Sequence, residues 1–216
     1  MMESLAGRLR NETRSLHTEV ERSSLMRALL RGELGLRPYC MLLRNLHPIY
    51  VALEAALTRH AGQPLLAPIF ASALFRSAAL EQDLNTLHGR SWDQAITLQP
   101  ASRLYVDRLR ELDRSGSGLL VAHAYVRYLG DLSGGQLLKR IVATSFELPG
   151  NAGTAFYDFG DSDQTRALTH EFRAGLASMG ADQDQIAAIV TEAQQAFEWH
   201  RDLFEQLALA GGLPAP

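Results

Sequence analysis

The chain has 216 residues, 46% of them hydrophobic, a formal charge of −3 and one cysteine, Cys40. That length suits one sizeable domain, and the mild negative charge gives no reason to expect nucleic acid as a partner. A single cysteine excludes an intrachain disulfide and any zinc or iron–sulfur site built from four cysteines of this chain.

The opening residues Met1-Met2-Glu3-Ser4 carry no apolar signal core. No apolar run approaches the roughly 20 residues a membrane helix needs. The expectation is a soluble, cytoplasmic protein without a membrane anchor. Apolar spacing is helical along most of the chain and strand-like alternation is scarce, so the predicted class is all-α, one domain over 1–216. Residues 1–4 and 210–216 are expected to fray.

In chain order, a first helix fits about Leu5 to Leu30 and stops near Gly32 and Gly35. A second begins at Pro38, a good first-turn residue, and runs to about His60. Gly62, Pro64 and Pro68 mark a loop, and helical spacing resumes from about Ile69 to Leu87. Pro100 opens a helix that ends before Ser115-Gly116. A long helical segment follows from about Leu119 to Phe146, then a loop from Pro149 to Gly160. The last two helices fit about Asp163 to Met179 and Asp182 to Leu209. Asp182 with Gln185 resembles a capping box.

Two stretches carry candidate chemistry. Arg10, Arg14, His17 and Glu21 are spaced four, three and four apart, which puts them along one helix face. A neutral imidazole there can ligate iron, and a carboxylate one turn on can accept its other N–H and fix the ring. Two arginines can reach anionic groups beside it. The plainer reading is a solvated helix face, where such spacings are common. The other histidines (His47, His60, His88, His123, His170, His200) read as surface or structural residues.

The second stretch is Ala124 to Lys139, helical in spacing yet carrying Gly130, Gly134 and Gly135. Each glycine costs a helix interior about 1 kcal/mol, so the three together cost roughly 3 kcal/mol. Gly130 and Gly134 share one face, where a flat ligand could approach bare backbone. Glycine and serine here also permit a bend over that ligand. Close helix–helix packing would use the same small residues, and spacing alone does not separate these readings. Asp131 sits beside the bare face, placed to act through a bound water.

Together these stretches resemble the haem oxygenase family. The run Val121 to Gln136 (VAHAYVRYLGDLSGGQ) is similar to that family's distal-helix signature. Leu16-His17-Thr18, Ile49–Glu54, Ala78–Leu84 and Leu203–Leu207 match in order along nearly the whole chain. The likeness is to the animal-type and cyanobacterial-type enzymes. It implies a helical bundle with haem b, as cofactor and substrate, held between a proximal N-terminal helix and a glycine-kinked distal helix.

Carried over, the resemblance gives His17 as proximal iron ligand and Glu21 as its hydrogen-bonding partner. Gly130 and Gly134 fall over the distal haem face, and Asp131 at the acid that organises distal water. Tyr50, Arg127 and Tyr105 fall in the surrounding polar network. Arg10, Arg14, Tyr125 and Arg173 fall near the propionates, and Phe197 at an aromatic wall. Thr169 departs from the pattern, which often has lysine there, so propionate anchoring and the usual α-meso selectivity are less secure.

The implied reaction takes O₂ and electrons from a ferredoxin or an NAD(P)H-dependent reductase and yields biliverdin, CO and Fe²⁺. A bilin-using acceptor could follow. The alternatives are a haem carrier or sensor on the same fold, a thiaminase-like enzyme using Cys40, and a helical interaction module. A polar set of Asp131, Tyr50, Tyr105 and Arg127 has no purpose in the first or the last.

Overall fold

The computed structural model describes residues 4–213. Ten α-helices follow in order among them: α1 Leu5–Glu12, α2 Arg14–Glu21, α3 Ser24–Leu30, α4 Leu36–Arg59, α5 Ser77–Leu87, α6 Trp92–Ala95, α7 Pro100–Ser115, α8 Leu120–Ser145, α9 Ser162–Ser178 and α10 Gln183–Ala210. Three 3₁₀ turns, Ala67–Ile69, Ser72–Leu74 and Ala155–Tyr157, complete the set, with no strand among the described residues. The all-α expectation holds. Of the ends expected to fray, residues 1–3 and 214–216 lie outside the described residues. Ser4 caps α1, accepting the Gly7 N–H at 3.3 Å, and Ala210 is the last residue of α10.

The predicted first helix is three helices. Buried Thr13 returns its hydroxyl to the Leu9 carbonyl at 2.7 Å and takes φ −105°, ψ 0°, ending α1. Ser23 is extended and accepts the Met26 N–H, which starts α3. Both are short hydroxyl residues that offer the backbone a local alternative to the helix ladder. The helix expected from Ile69 begins only at Ser77, after the two 3₁₀ turns. There the Glu54 carboxylate of α4 accepts the N–H groups of Arg76 and Ser77. Asp182 and Gln185 form the expected capping box, and Asp161 with Gln164 forms another.

α10 packs against α1, α2, α3, α4, α7 and α8, which makes it the spine of the bundle. Fully buried Leu43, Leu53, Leu109, Val121 and Ala196 belong to that shared core. A polar joint crosses it as well. Arg108 of α7 donates to both Glu192 oxygens of α10 at 3.0 and 2.7 Å, and His123 of α8 lies 3.0 Å from the same carboxylate. Burial pushes the Glu192 carboxyl up, but the His123 and Arg108 bonds outweigh it and bring it to about 2.

On the far side, α9 lies so close to the turn Ala67–Ile69 that a Cβ at Gly175 would sit 2.0 Å from the Pro68 carbonyl oxygen. α8 stays helical through all three of its glycines. Ser133 Oγ donates back to the carbonyl of Leu129 at 2.7 Å, a bond that eases local bending.

Candidate functional site

A slot opens between α2 on one side and α8 on the other, with α10 as a side wall. It comprises two adjoining chambers of about 400 and 510 Å³, both within the ~300–1,000 Å³ range of small-molecule sites. His17, Val126, Gly130, Ser133 and Phe197 line both chambers. The His17 side chain is 46% exposed, as an imidazole facing an open cavity should be. Its Nδ1 lies 3.6 Å from Glu21 Oε2, and its ring stands edge-on to Phe197 at 5.9 Å. Nε2 is the ring nitrogen left for a ligand.

The glycines of α8 divide by purpose. A Cβ built on Gly130 meets nothing within 4 Å, and one on Gly134 meets only Leu138 Cδ1 at 4.0 Å. One on Gly135 would lie 3.4 Å from the Tyr157 carbonyl oxygen. Gly135 therefore serves packing, whereas Gly130 and Gly134 present bare backbone to the slot. Gly130→Leu should fill that space. We expect haemin affinity to fall about tenfold or more in a Soret titration, since the side chain occupies the ligand's volume. Unchanged affinity would return Gly130 to a packing role.

Asp131 borders the same chamber with a side chain 10% exposed. Tyr50 donates its hydroxyl to Asp131 Oδ2, and Arg127 Nε donates to the Tyr50 hydroxyl at 3.0 Å. Arg127 Nη2 lies 3.7 Å from Asp131 Oδ1 and Nη1 donates to His200 Nδ1. Burial raises the Asp131 carboxyl, opposed by Arg127 and the Tyr50 bond. Burial, with Arg127 and His17 nearby, holds His200 well below its usual range, hence neutral and able to accept from Arg127.

The second chamber carries the cations. Arg10, Tyr125 and Arg173 line it with His17, and the Tyr125 hydroxyl lies 3.4 Å from Thr13 Oγ1. Thr169 Oγ1 is spent on the Thr165 carbonyl at 2.7 Å.

Two predicted site residues stand apart. Arg14 is exposed and does not line either chamber, because the break at Thr13 interrupts the single helix face that would have aligned it with Arg10. Tyr105 is fully buried with its hydroxyl 3.2 Å from His123 Nδ1, one layer behind the slot. Its hydroxyl pairs with His123 rather than with Tyr50, Arg127 or Asp131. Among the wall residues that sequence reasoning missed are His200, Phe156 and Tyr157. His200 lies three positions past Phe197 on α10, a helical spacing that places both on one face. Phe156 and Tyr157 come from an aperiodic loop that left no such signal.

The residues present fit a porphyrin. An imidazole faces one side, bare main chain the other, aromatic and aliphatic walls lie between, and cations stand at one end for acidic groups. No cluster of three or more His, Cys, Asp or Glu able to hold a metal ion occurs among the described residues. Fold and slot together define a helical protein with a cavity shaped to take a flat, iron-bearing ring.

Comparisons with known proteins agree. The family pattern described as Heme oxygenase matches residues 3–206. Heme oxygenase 1 of Nostoc sp. is 38% identical over 207 residues, 96% of this chain and 87% of the relative. Human heme oxygenase 1 is 37% identical over 209 residues, 96% of this chain and 73% of the relative. The crystal structure of heme oxygenase-2 from Synechocystis sp. in complex with heme and NO superposes with a TM-score of 0.91 at 38% identity. It covers 97% of this chain and 87% of that one. The chain belongs to the haem oxygenase family, and it is a haem-degrading enzyme.

Proposed function

We propose that this chain uses O₂ to open haem b at the α-meso carbon, releasing biliverdin, CO and Fe²⁺, with electrons from a separate ferredoxin or NAD(P)H-dependent reductase. The observation that carries the reading is the open space over Gly130 and Gly134, opposite His17 and beside the buried Asp131.

Bound haem supplies the redox-active iron and the carbon skeleton that is oxidised. His17 would hold the iron, and Glu21 beside Nδ1 would orient the ring. Gly130 and Gly134 leave open space on the face across from His17 where a small co-substrate would fit. Asp131 holds a water there and passes protons through its carboxylate oxygens. Tyr50 and Arg127 orient that carboxylate, and neutral His200 fixes the far side of Arg127. Arg10, Arg173 and Tyr125 would take the propionates, and Phe197 would pack against the macrocycle.

A haem carrier would not need a buried acid bonded by Tyr50 and paired with Arg127, because burying it raises its carboxyl at a cost in stability. Cys40 does not suit the thiaminase-like alternative. Its thiol is buried, pushed up to about 11 and outside the slot. No described helix is long and apolar enough to cross a membrane. The setting we propose is the cytoplasm, which a buried, unpaired thiol fits.

The test adds haemin, records the Soret band, then supplies ascorbate or reduced ferredoxin in air. A histidine-ligated spectrum followed by biliverdin absorption is expected. Stable bound haem with no bilin would favour the carrier.

A further inference from the structure

The segment Ala78–Leu84 was matched in sequence, yet none of its residues lines the slot. Asp83 lies within it on α5, 0% exposed. Its Oδ1 accepts the Ala155 N–H and its Oδ2 the Phe156 N–H, both at 2.8 Å. Those amides open the 3₁₀ turn Ala155–Tyr157. The next residues are tied to the other end of the same helix: Arg76, which caps α5, donates Nη1 to the Asp158 carbonyl at 2.6 Å.

This turn is a wall of the slot, since Phe156 and Tyr157 both line it. The Phe156 ring stands edge-on to Tyr50 at 5.5 Å, and Tyr50 is the donor to Asp131. The Tyr157 backbone rests on Gly135 of α8. A line of contacts therefore runs from Asp83 through the turn to both the haem wall and the distal acid.

We propose that Asp83 is a positioning residue for haem cleavage, setting the turn Ala155–Tyr157 so that Phe156 holds Tyr50 and Tyr157 closes the slot against α8. The proposal rests on the haem-cleaving reading above. A carboxylate suits the task because it alone among side chains of this size offers two acceptor oxygens to two adjacent N–H groups. An asparagine would satisfy one and turn an N–H₂ toward the other. Burial pushes the Asp83 carboxyl up to about 6 against the pull of those two bonds, so the charge is kept here at a cost.

The test has a ligand-free arm and a product arm. In the wild-type apo protein, the amides of Ala155 and Phe156 should be protected from hydrogen exchange. In Asp83→Asn their exchange should quicken about tenfold, the equivalent of one weakened charge-assisted bond. With haem and reductant, Asp83→Asn should keep the histidine-ligated Soret band. It should yield a second biliverdin isomer at about a tenth of the product or more, since selectivity of that size rests on little over 1 kcal/mol. Phe156→Leu leaves Asp83 and the two N–H groups that donate to it in place and should broaden the isomers likewise, so the test stands even if Asp83→Asn does not fold. Rapid exchange of both amides in the wild type overturns the proposal. So does a wild-type isomer pattern in either variant. Failure of the wild type to make biliverdin would instead sink the functional reading.

Discussion

His17→Ala is expected to lose the histidine-ligated haem spectrum and to cut biliverdin formation by about 100-fold or more, given that even indirect partners of a metal ligand are worth 10–100-fold. Two imidazoles line the slot among the described residues, His17 and His200. They are not equivalent. Nδ1 of His200 accepts from Arg127, its ring packs edge-on to Phe204 at 4.3 Å, and it is 8% exposed. It is held in place by the distal network. His17 is open to the slot, with Glu21 behind it and Phe197 beside it. Removing the His17 imidazole should therefore leave the iron without a protein nitrogen, while the helices around it remain. Added imidazole should restore the spectrum by filling the vacated position. An unaltered Soret band in His17→Ala would assign the iron to His200, and the proximal and distal sides would have to be exchanged.

How far the sequence reveals this site follows from which signals are periodic. His17 and Glu21 lie within one short helix, so their i, i+4 spacing survives folding. Arg10 and Arg14 straddle Thr13, and a one-residue break is invisible to apolar periodicity, so Arg14 was assigned a face it does not share. The glycines of α8 are conspicuous because each costs helix stability. Which of them faces a ligand is another matter: Gly135 is separated from Gly130 and Gly134 only by what lies within 4 Å of each. Tyr105 and His123 form a layer one side chain behind Arg127, and chain spacing holds no record of depth. Phe156 and Tyr157 sit in a turn whose amides are held by Asp83, 72 positions earlier than Ala155. A contact between an aperiodic loop and a distant helix leaves no trace that a single sequence can show.

Asp131→Asn should retain haem with a histidine-ligated spectrum and lower the rate of biliverdin formation by roughly 10²–10⁴-fold, the range that positioned proton transfer contributes. The geometry makes this more specific than loss of an acid. Asp131 accepts from Tyr50 on one oxygen and faces Arg127 on the other. An asparagine can keep the Tyr50 bond only by turning its N–H₂ toward the Arg127 guanidinium, donor against donor. The alternative flip breaks the Tyr50 bond. Either way the amide cannot take up and return a proton near neutral pH, though it still fills the carboxylate's volume. Haem affinity should move little, because His17, the bare glycines and the cations at Arg10 and Arg173 are untouched. Tyr50→Phe provides the graded comparison: it removes one donor from Asp131 while leaving the acid, so its loss should fall between the wild type and Asp131→Asn. A full wild-type rate in Asp131→Asn would place the proton path elsewhere. The nearest remaining route would run through Arg127 and His200, and the Tyr50 donor would then be a packing contact rather than part of the chemistry.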